Sequence, residues 1–357
     1  MNISWAPPML SDAEFAHHVS ALLEKPVADL ARITHGMNSL VFRVRCADDT
    51  LFAAKQYLHP TADGRSRLEV EFGALELLQG HEVGQVPRPI ACDRGHDLGV
   101  YEYIDGQVPE PAELCEADLD TAIHFLLRLD SLAQVLPEEA AFPAAEACFC
   151  AQNLLRDISY RLAGLLVIPE ASSVVRTMHT FLRSRLIPEL RQVRIWAESQ
   201  WAALGSTPDA RLRREEWTLS PSDFGFHNAL RKRDGTLVFV DFEYFGWDNP
   251  AKLMADFLLH PAMSLSDAAK ERFVRKMCGG LKRPLLEKRL PVAYALFGVK
   301  WSLILLNGFV PGSVAQARLA SGSQEQAQAL SLQLQKAEVM LDRAVAACKE
   351  FPYCGGQ

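Results

Sequence analysis

The stretch Ser220–Tyr244, SPSDFGFHNALRKRDGTLVFVDFEY, constrains this chain more than any other. It sets Asp223 ahead of Asn228, adds a hairpin-like interval, and then opens an Asp-Phe-Glu triplet at Asp241. Residues 236–240 (TLVFV) are β-branched and apolar, so they read as a buried strand. Asp234-Gly235 before them is a strong two-residue turn signal, with Leu230 and its neighbours as the incoming arm. Folding back at that turn brings Asp223 and Asn228 towards Asp241. Two carboxylates and an amide supply hard oxygen ligands and one free base, a set that suits Mg²⁺ held against phosphates. In phosphoryl transfer the protein mainly positions groups and neutralises charge. One Asp must face the attacking hydroxyl while an Asn and another Asp hold the metal. Asp223, Asn228 and Asp241 fit those roles in that order. Singly, each is also an ordinary turn or cap residue; the ordered set with a strand between is what argues for chemistry.

At 357 residues the chain is long enough for two lobes and a large core. A net charge of -7 leaves no general nucleic-acid footprint. The eight cysteines form no CxxC pair, which points to a reduced, cytoplasmic protein. The N-terminus lacks the basic start and apolar run of a signal peptide. Residues 292–310 are nearly long and apolar enough for a membrane span, but Lys300 lies mid-run and Pro291 and Pro311 bracket it. A buried helix, with no membrane span, is the expectation.

Taken in order, residues 11–24 read as an amphipathic helix capped by Ser11, with Glu14 at the capping-box position. Residues 40–46 and 51–57 read as an antiparallel pair joined through Asp48-Asp49. Lys55 lies in the second of these strands among apolar and small residues, where burial is costly unless an anion meets it. The helix expected over 65–80 offers two such anions, Glu69 and Glu71. Strands at 89–93 and 97–104 follow, then a loop marked by Pro109 and Pro111. From about 117 to 215 the pattern is mainly helical, with a loop at 137–147 and a break at Pro188; helices at 266–279, 283–307 and 324–349 complete the chain.

The Asp223-Phe-Gly-Phe-His-Asn228 and Asp241-Phe242-Glu243-Tyr244 pair resembles the catalytic and metal loops of the aminoglycoside phosphotransferase and choline kinase superfamily, whose pattern is H-G-D-x-x-x-x-N, a strand, then D-F/W/Y-E/G/D. Pro221-Ser222 replaces the usual His-Gly, a departure that alters the loop's internal hydrogen bonding and removes no reacting group. The resemblance covers roughly residues 30–260 and implies an α+β, two-lobed, protein-kinase-like fold. Residues 1–105 would form a small antiparallel-sheet N-lobe and 106–357 a large helical C-lobe with the catalytic and metal loops. It implies ATP and Mg²⁺, with Asp223 as the catalytic base and Asn228 and Asp241 on the metal. The D-x-E-Y of the choline kinase branch adds Glu243 as a secondary metal contact. Glu71 matches the family's Lys-pairing glutamate, so Lys55, held by Glu71, would steady the α- and β-phosphates. Gly36, Asn38 and Ser39 stand where a loop would cover the phosphates. Glu102, Tyr103 and Ile104 stand at the hinge, whose backbone would bond adenine. Asp256 matches an Asp that holds the catalytic loop.

The implied activity is direct, in-line transfer of a γ-phosphate to the hydroxyl of a small molecule: a sugar, amino sugar or amino alcohol. Choline or ethanolamine kinase is the alternative enzyme, with Phe224, Phe226, Tyr244, Phe245, Trp247 and Trp301 as candidate cage aromatics. From another class, a nucleotide-binding pseudokinase scaffold would suit the Pro221-Ser222 departure. The lack of D-F-G and A-P-E segments argues against a protein kinase.

Overall fold

Ser11 opens the first element. Its hydroxyl accepts from the Glu14 N–H while the Glu14 carboxylate accepts from the Ser11 N–H at 2.9 Å, closing a capping box on α1 (Asp12–Leu23). The computed structural model describes residues 9–35, 38–58, 64–317 and 323–353. Beyond α1 come β1 (Val27–His35), β2 (Ser39–Cys46), β3 (Leu51–Tyr57), α2 (Arg67–Gly80), β4 (Pro89–Asp93) and β5 (Leu98–Glu102). The five strands form one antiparallel sheet in the order β1-β2-β3-β5-β4. Alternation along β2 puts Leu40, Phe42, Val44 and Cys46 on the buried face, where they pack with Phe15 and Val19 of α1 and with Val100 of β5. The antiparallel pair foreseen at 40–46 and 51–57 is there. β1 was not foreseen, because VADLARITH mixes charged and apolar residues, and its pairing with β2 is interrupted by two irregularities.

The Ser220–Tyr244 segment sits on short strands. β6 (Gly106–Gln107) is followed by α3 (Glu116–Ala133); much later come β7 (Thr218–Ser220), β8 (Ala229–Lys232), β9 (Leu237–Phe239) and β10 (Gly246–Asp248). β6, β8 and β9 make a three-stranded sheet, and β7 pairs with β10. The β8–β9 hairpin closes through three residues, Arg233 to Gly235, rather than the two expected. The Gly235 N–H bonds the Lys232 carbonyl at 2.9 Å, the Lys232 N–H bonds Thr236 at 2.9 Å, and Gly235 takes φ +88°. That is a turn followed by a glycine bulge, for which Asp-Gly serves as well.

The described chain packs as two compact units. The first combines residues 1–147 with 218–248, and the second combines 148–217 with 249–357. This division does not coincide with a boundary near Gly106, because α3 and the Ser220–Tyr244 hairpin group with residues 1–105 in the first unit. Phe125 of α3 lies against Phe224, Phe239 and Phe242, and Arg231 of β8 pairs with Asp118 of α3 at 2.8 Å.

The second unit is helical: α4 (Ala151–Leu166), α5 (Ser173–Phe181), α6 (Ile187–Ala203), α7 (Pro250–Leu259), α8 (Asp267–Leu281), α9 (Leu286–Leu305), α10 (Val314–Ala317) and α11 (Ser323–Lys349). Pro188 does not break the α5–α6 run. The run passes through a π turn at Leu182–Leu186 just before Pro188, a local change in the hydrogen-bond ladder that accommodates the missing N–H. α9 packs on α4, α6, α7 and α11, as expected of a core helix. Its mid-run Lys300 is buried against Asp157 at 2.9 Å.

Gly246 fixes the exit of the Asp241–Tyr244 loop. A Cβ there would lie 2.6 Å from the Ala144 nitrogen and would also overlap the Phe142 carbonyl, so backbone rather than a yielding side chain bars it. Gly246→Ala should therefore lower stability by about 3 kcal/mol, as overpacking against a rigid wall does. Urea denaturation reads this, and an unchanged midpoint would contradict the packing described.

Candidate active site

β3 runs between β2 and β5, so Lys55 at its centre cannot reach water freely, and its side chain is 10% exposed. Its ammonium lies 2.7 Å from Glu71 Oε2, 2.6 Å from Asp241 Oδ1 and 3.3 Å from Glu243 Oε2. Burial by itself would lower the Lys55 pKa; the Asp241, Glu71 and Glu243 carboxylates overcome it and hold the group well above the usual lysine range. Burial also raises the Glu71 carboxyl above its ordinary value, against the pull of Lys55. Glu71 is fixed from several sides. The Tyr57 hydroxyl donates to its Oε2 at 2.6 Å, Tyr57 meets Tyr101 at 2.8 Å, and the Phe242 N–H reaches its Oε1 at 3.3 Å. Between the two glutamates offered by α2, Lys55 meets Glu71; Glu69 is exposed and lies 3.6 Å from Arg94.

Glu243 is buried and heavily engaged. Arg67 Nη1 lies 2.8 Å from its Oε1, and the Asn38 amide donates to the same oxygen at 2.7 Å. Asn38 also donates to the Tyr244 hydroxyl at 2.8 Å, and Arg67 stacks over the Tyr244 ring at 4.7 Å. The carboxylates of Glu71, Asp241 and Glu243 converge within 4.8 Å of one another. Three acids face two cations, Lys55 and Arg67, so the cluster carries one excess negative charge.

Asp223 follows a strained turn. Ser222 takes φ +68°, and the Asp223 N–H bonds the Pro221 carbonyl at 2.9 Å, a three-residue turn of the rarer hand. The Ser222 hydroxyl ties the loop to the Ala145 carbonyl at 3.1 Å, and its N–H bonds the Ser220 hydroxyl at 2.9 Å. Asp223 keeps a side chain 38% exposed, with His227 Nε2 at 3.1 Å from its Oδ1. Asn228 donates its amide to the Asp223 carbonyl at 2.9 Å, and its own carbonyl accepts from the Val240 N–H at 2.9 Å, next to Asp241. Asp241 also takes a left-handed backbone, φ +69°, with a side chain 37% exposed.

Ser39 opens β2, buried and opposite Tyr57. Gly36 lies outside the described residues. β5 ends at Glu102, whose N–H bonds the Arg88 carbonyl at 2.8 Å and whose carboxylate accepts from Arg88 Nε at 3.1 Å. Tyr103 and Ile104 continue past the strand end. In the ladder Gly99 stands opposite Lys55 and Glu102 opposite Phe52, which sets the hinge segment about 10 Å along the sheet from Lys55. Phe224, Phe226, Phe245 and Trp247 are buried in the core of the first unit, whereas Tyr244 is partly exposed. In the second unit Asp256 accepts from Trp301 Nε1 at 2.9 Å and lies 3.1 Å from Lys252.

Sequence reading passed over Tyr57, Arg67 and His227. Two of them left a usable signal. Tyr57 shares the Lys55 face of β3 by the two-residue period, and Arg67 precedes Glu71 by one helical turn on α2. His227 left none, since it lies inside the unspecified interval between Asp223 and Asn228.

A family model described as the phosphotransferase enzyme family matches residues 29–278. No curated protein matches the chain at a significant level. Among solved structures, a choline/ethanolamine kinase family protein from Mesorhizobium loti is similar at 17% identity and TM-score 0.56, over 90% of this chain and 92% of that one. A spectinomycin phosphotransferase in complex with ADP and spectinomycin is similar at 8% identity and TM-score 0.64, over 93% and 99%. Choline kinase from Cryptosporidium parvum is similar at 12% identity and TM-score 0.57, over 91% and 93%. These likenesses establish the fold as the two-lobed, protein-kinase-like one.

Removing the ammonium leaves buried acids uncompensated. Lys55→Met should cost about 3 to 5 kcal/mol near neutral pH, the range for breaking a buried ion pair. Glu71 already has a raised carboxyl pKa, so the stability linked to its proton is present at low pH and lost as pH rises through the raised value. Without Lys55 that dependence strengthens. The variant's Tm should climb as pH falls from about 8 to about 5.5, more steeply than the parent's. Parallel Tm profiles for the two proteins would contradict this.

Proposed function

The chain belongs to the phosphotransferase enzyme family, and from that premise we propose that it moves the γ-phosphate of ATP, with Mg²⁺, to a hydroxyl of a small molecule. The observation that carries the reading is the convergence of Lys55, Glu71 and Asp241 from a strand, a helix and a loop far apart in sequence. A protein has little reason to bury an ammonium among three acids unless anionic ligands exchange for some of them. The ADP held by the similar spectinomycin phosphotransferase supports a nucleotide as donor.

The donor set fits Mg²⁺. Asn228 spends its amide nitrogen on the Asp223 carbonyl, so its oxygen is the atom for a cation, and Asp241 offers a partly exposed carboxylate. Mg²⁺ held by Asn228 and Asp241 would set positive charge against the phosphates. Glu243 would have to give up Arg67, Asn38 or Lys55 to touch the metal, so its part is to anchor the loop that presents Asp241. Lys55, fixed by Glu71, then meets the α- and β-phosphates, Ser39 lies at the edge of the loop over them, and the backbone of Glu102 to Ile104 receives adenine. Asp223 orients the acceptor hydroxyl and takes its proton. The acceptor oxygen forms its bond to the γ-phosphorus as the bond to the bridging oxygen breaks, and ADP leaves; no covalent enzyme intermediate is involved. His227 holds one Asp223 oxygen, which turns the other towards the acceptor.

The acceptor class is a sugar, amino sugar or amino alcohol, a range supported by the spectinomycin and choline named for the similar structures. Burial of Phe224, Phe226, Phe245 and Trp247 leaves few aromatics for a quaternary-ammonium cage, so we place choline behind sugars and amino sugars. Free thiols at all seven described cysteines suit a reducing, cytoplasmic setting.

The test is ATP- and Mg²⁺-dependent ADP release, screened against pooled sugars, amino alcohols and aminoglycosides. One pool should stimulate release. Asp223→Asn should lower kcat about 10²- to 10⁴-fold with nucleotide affinity kept, and His227→Ala should lower it about tenfold without moving that affinity. Full turnover in Asp223→Asn would overturn the role given to Asp223, and full turnover in His227→Ala that given to His227. Nucleotide bound without turnover in any pool would favour a scaffold.

A further inference from the structure

Away from the active site, His18 of α1, Asp93 at the end of β4 and His96 in the β4–β5 turn bring three ligand atoms within 4.8 Å of one another. Both imidazoles address one oxygen: His18 Nδ1 lies 3.3 Å and His96 Nδ1 2.8 Å from Asp93 Oδ2. The ring centroids are 3.9 Å apart, with the planes tilted by 47°. The other carboxylate oxygen, Oδ1, accepts from the Gly95 N–H at 2.8 Å, which fixes the carboxylate with Oδ2 towards the two rings. All three side chains are about a quarter to a third exposed, so an ion could reach them from solvent.

We propose that His18, Asp93 and His96 form a binding site for a divalent transition-metal ion of the Zn²⁺ class, separate from the phosphotransferase site. Donor atoms about 2.0–2.2 Å from one metal stand roughly 2.8–3.5 Å apart in octahedral or tetrahedral shells, and the two nitrogen–oxygen spacings already fall in that range. Two imidazoles with one carboxylate select Zn²⁺, Co²⁺, Ni²⁺ or Cu²⁺ over Mg²⁺ and Ca²⁺, which prefer all-oxygen shells. On binding, the ion takes the Nδ1 lone pairs, any Nδ1 protons go to solvent, and water completes the shell. Glu14, one turn before His18 on α1, adds negative charge close by.

The site would act as a staple. It joins α1 to the β4–β5 turn, and Asp97 of that turn accepts from the Tyr57 N–H at 2.9 Å and from the Ser66 hydroxyl, the cap of α2, at 2.9 Å. Metal there ties three elements of the first unit together, and binding to the folded state alone raises Tm.

Co²⁺ is the probe, added to chelator-stripped protein and followed by its visible absorption and by the Tm. Wild type should bind one equivalent in this site with a rise in Tm. His18→Ala and His96→Gln should each weaken binding by roughly tenfold or more, since even outer-shell losses reach that size. The double variant should lose both the spectrum and the Tm rise while keeping its metal-free Tm. Asp241→Asn, which alters only the phosphotransferase site, should retain the Co²⁺ signal. An equal signal in the double variant, loss of the signal in Asp241→Asn alone, or no signal from wild type at about 100 μM Co²⁺ would each overturn the proposal.

Discussion

The Lys55 ammonium, buried between Glu71, Asp241 and Glu243, is the contact on which the rest of the site depends. Isolated, such a charge would carry a desolvation penalty of several kcal/mol. Three acids compensate, and in doing so they join β3, α2 and the loop after β9 at one point. Under the proposed function, the arrangement would also prepare an exchange. A phosphate that takes Lys55 competes with Asp241, and a cation that takes Asp241 competes with Lys55. Each arrival makes room for the other, so nucleotide and metal should bind as a pair. In that exchange Glu71 would stay with Lys55, since Tyr57 and the Phe242 N–H hold it in place.

The loop that carries Asp223 departs from its family pattern, and the structure shows how the departure is absorbed. Ser222 occupies the position where the family has glycine and adopts a left-handed backbone that glycine reaches more easily, at roughly 1–2 kcal/mol. Its hydroxyl returns part of that through the Ala145 carbonyl. The missing histidine before Asp223 is matched by another one after it: His227 touches the carboxylate from within the loop. A loop so altered still presents Asp223 beside Asn228, which weakens the case for a scaffold that has lost its chemistry.

Much of this was legible in the sequence, for physical reasons that differ by element. The α1 capping box, the alternation of β2 and the apolar face of α9 are local patterns, and local patterns survive into the fold. The choice of Glu71 over Glu69 came from resemblance and needed the structure to separate two acids on one helix. β1 escaped because its residues alternate poorly and its pairing is set by β2. The grouping of α3 and the Ser220–Tyr244 hairpin with residues 1–105 escaped too, because the packing that holds Phe125, Phe224 and Phe239 together is a long-range fact with no periodic trace. That Arg67 and Asn38 both meet Glu243 became visible only in the fold.

In the proposed mechanism Lys55 and Asp241 hand each other over to phosphate and metal. Calorimetry of ATP binding to the intact chain, once with Mg²⁺ and once with a chelator, tests it most directly. The account predicts binding roughly tenfold or more tighter with Mg²⁺, a coupling of about 1.4 kcal/mol or more. Equal affinity in the two conditions, or no nucleotide binding in either, would contradict it.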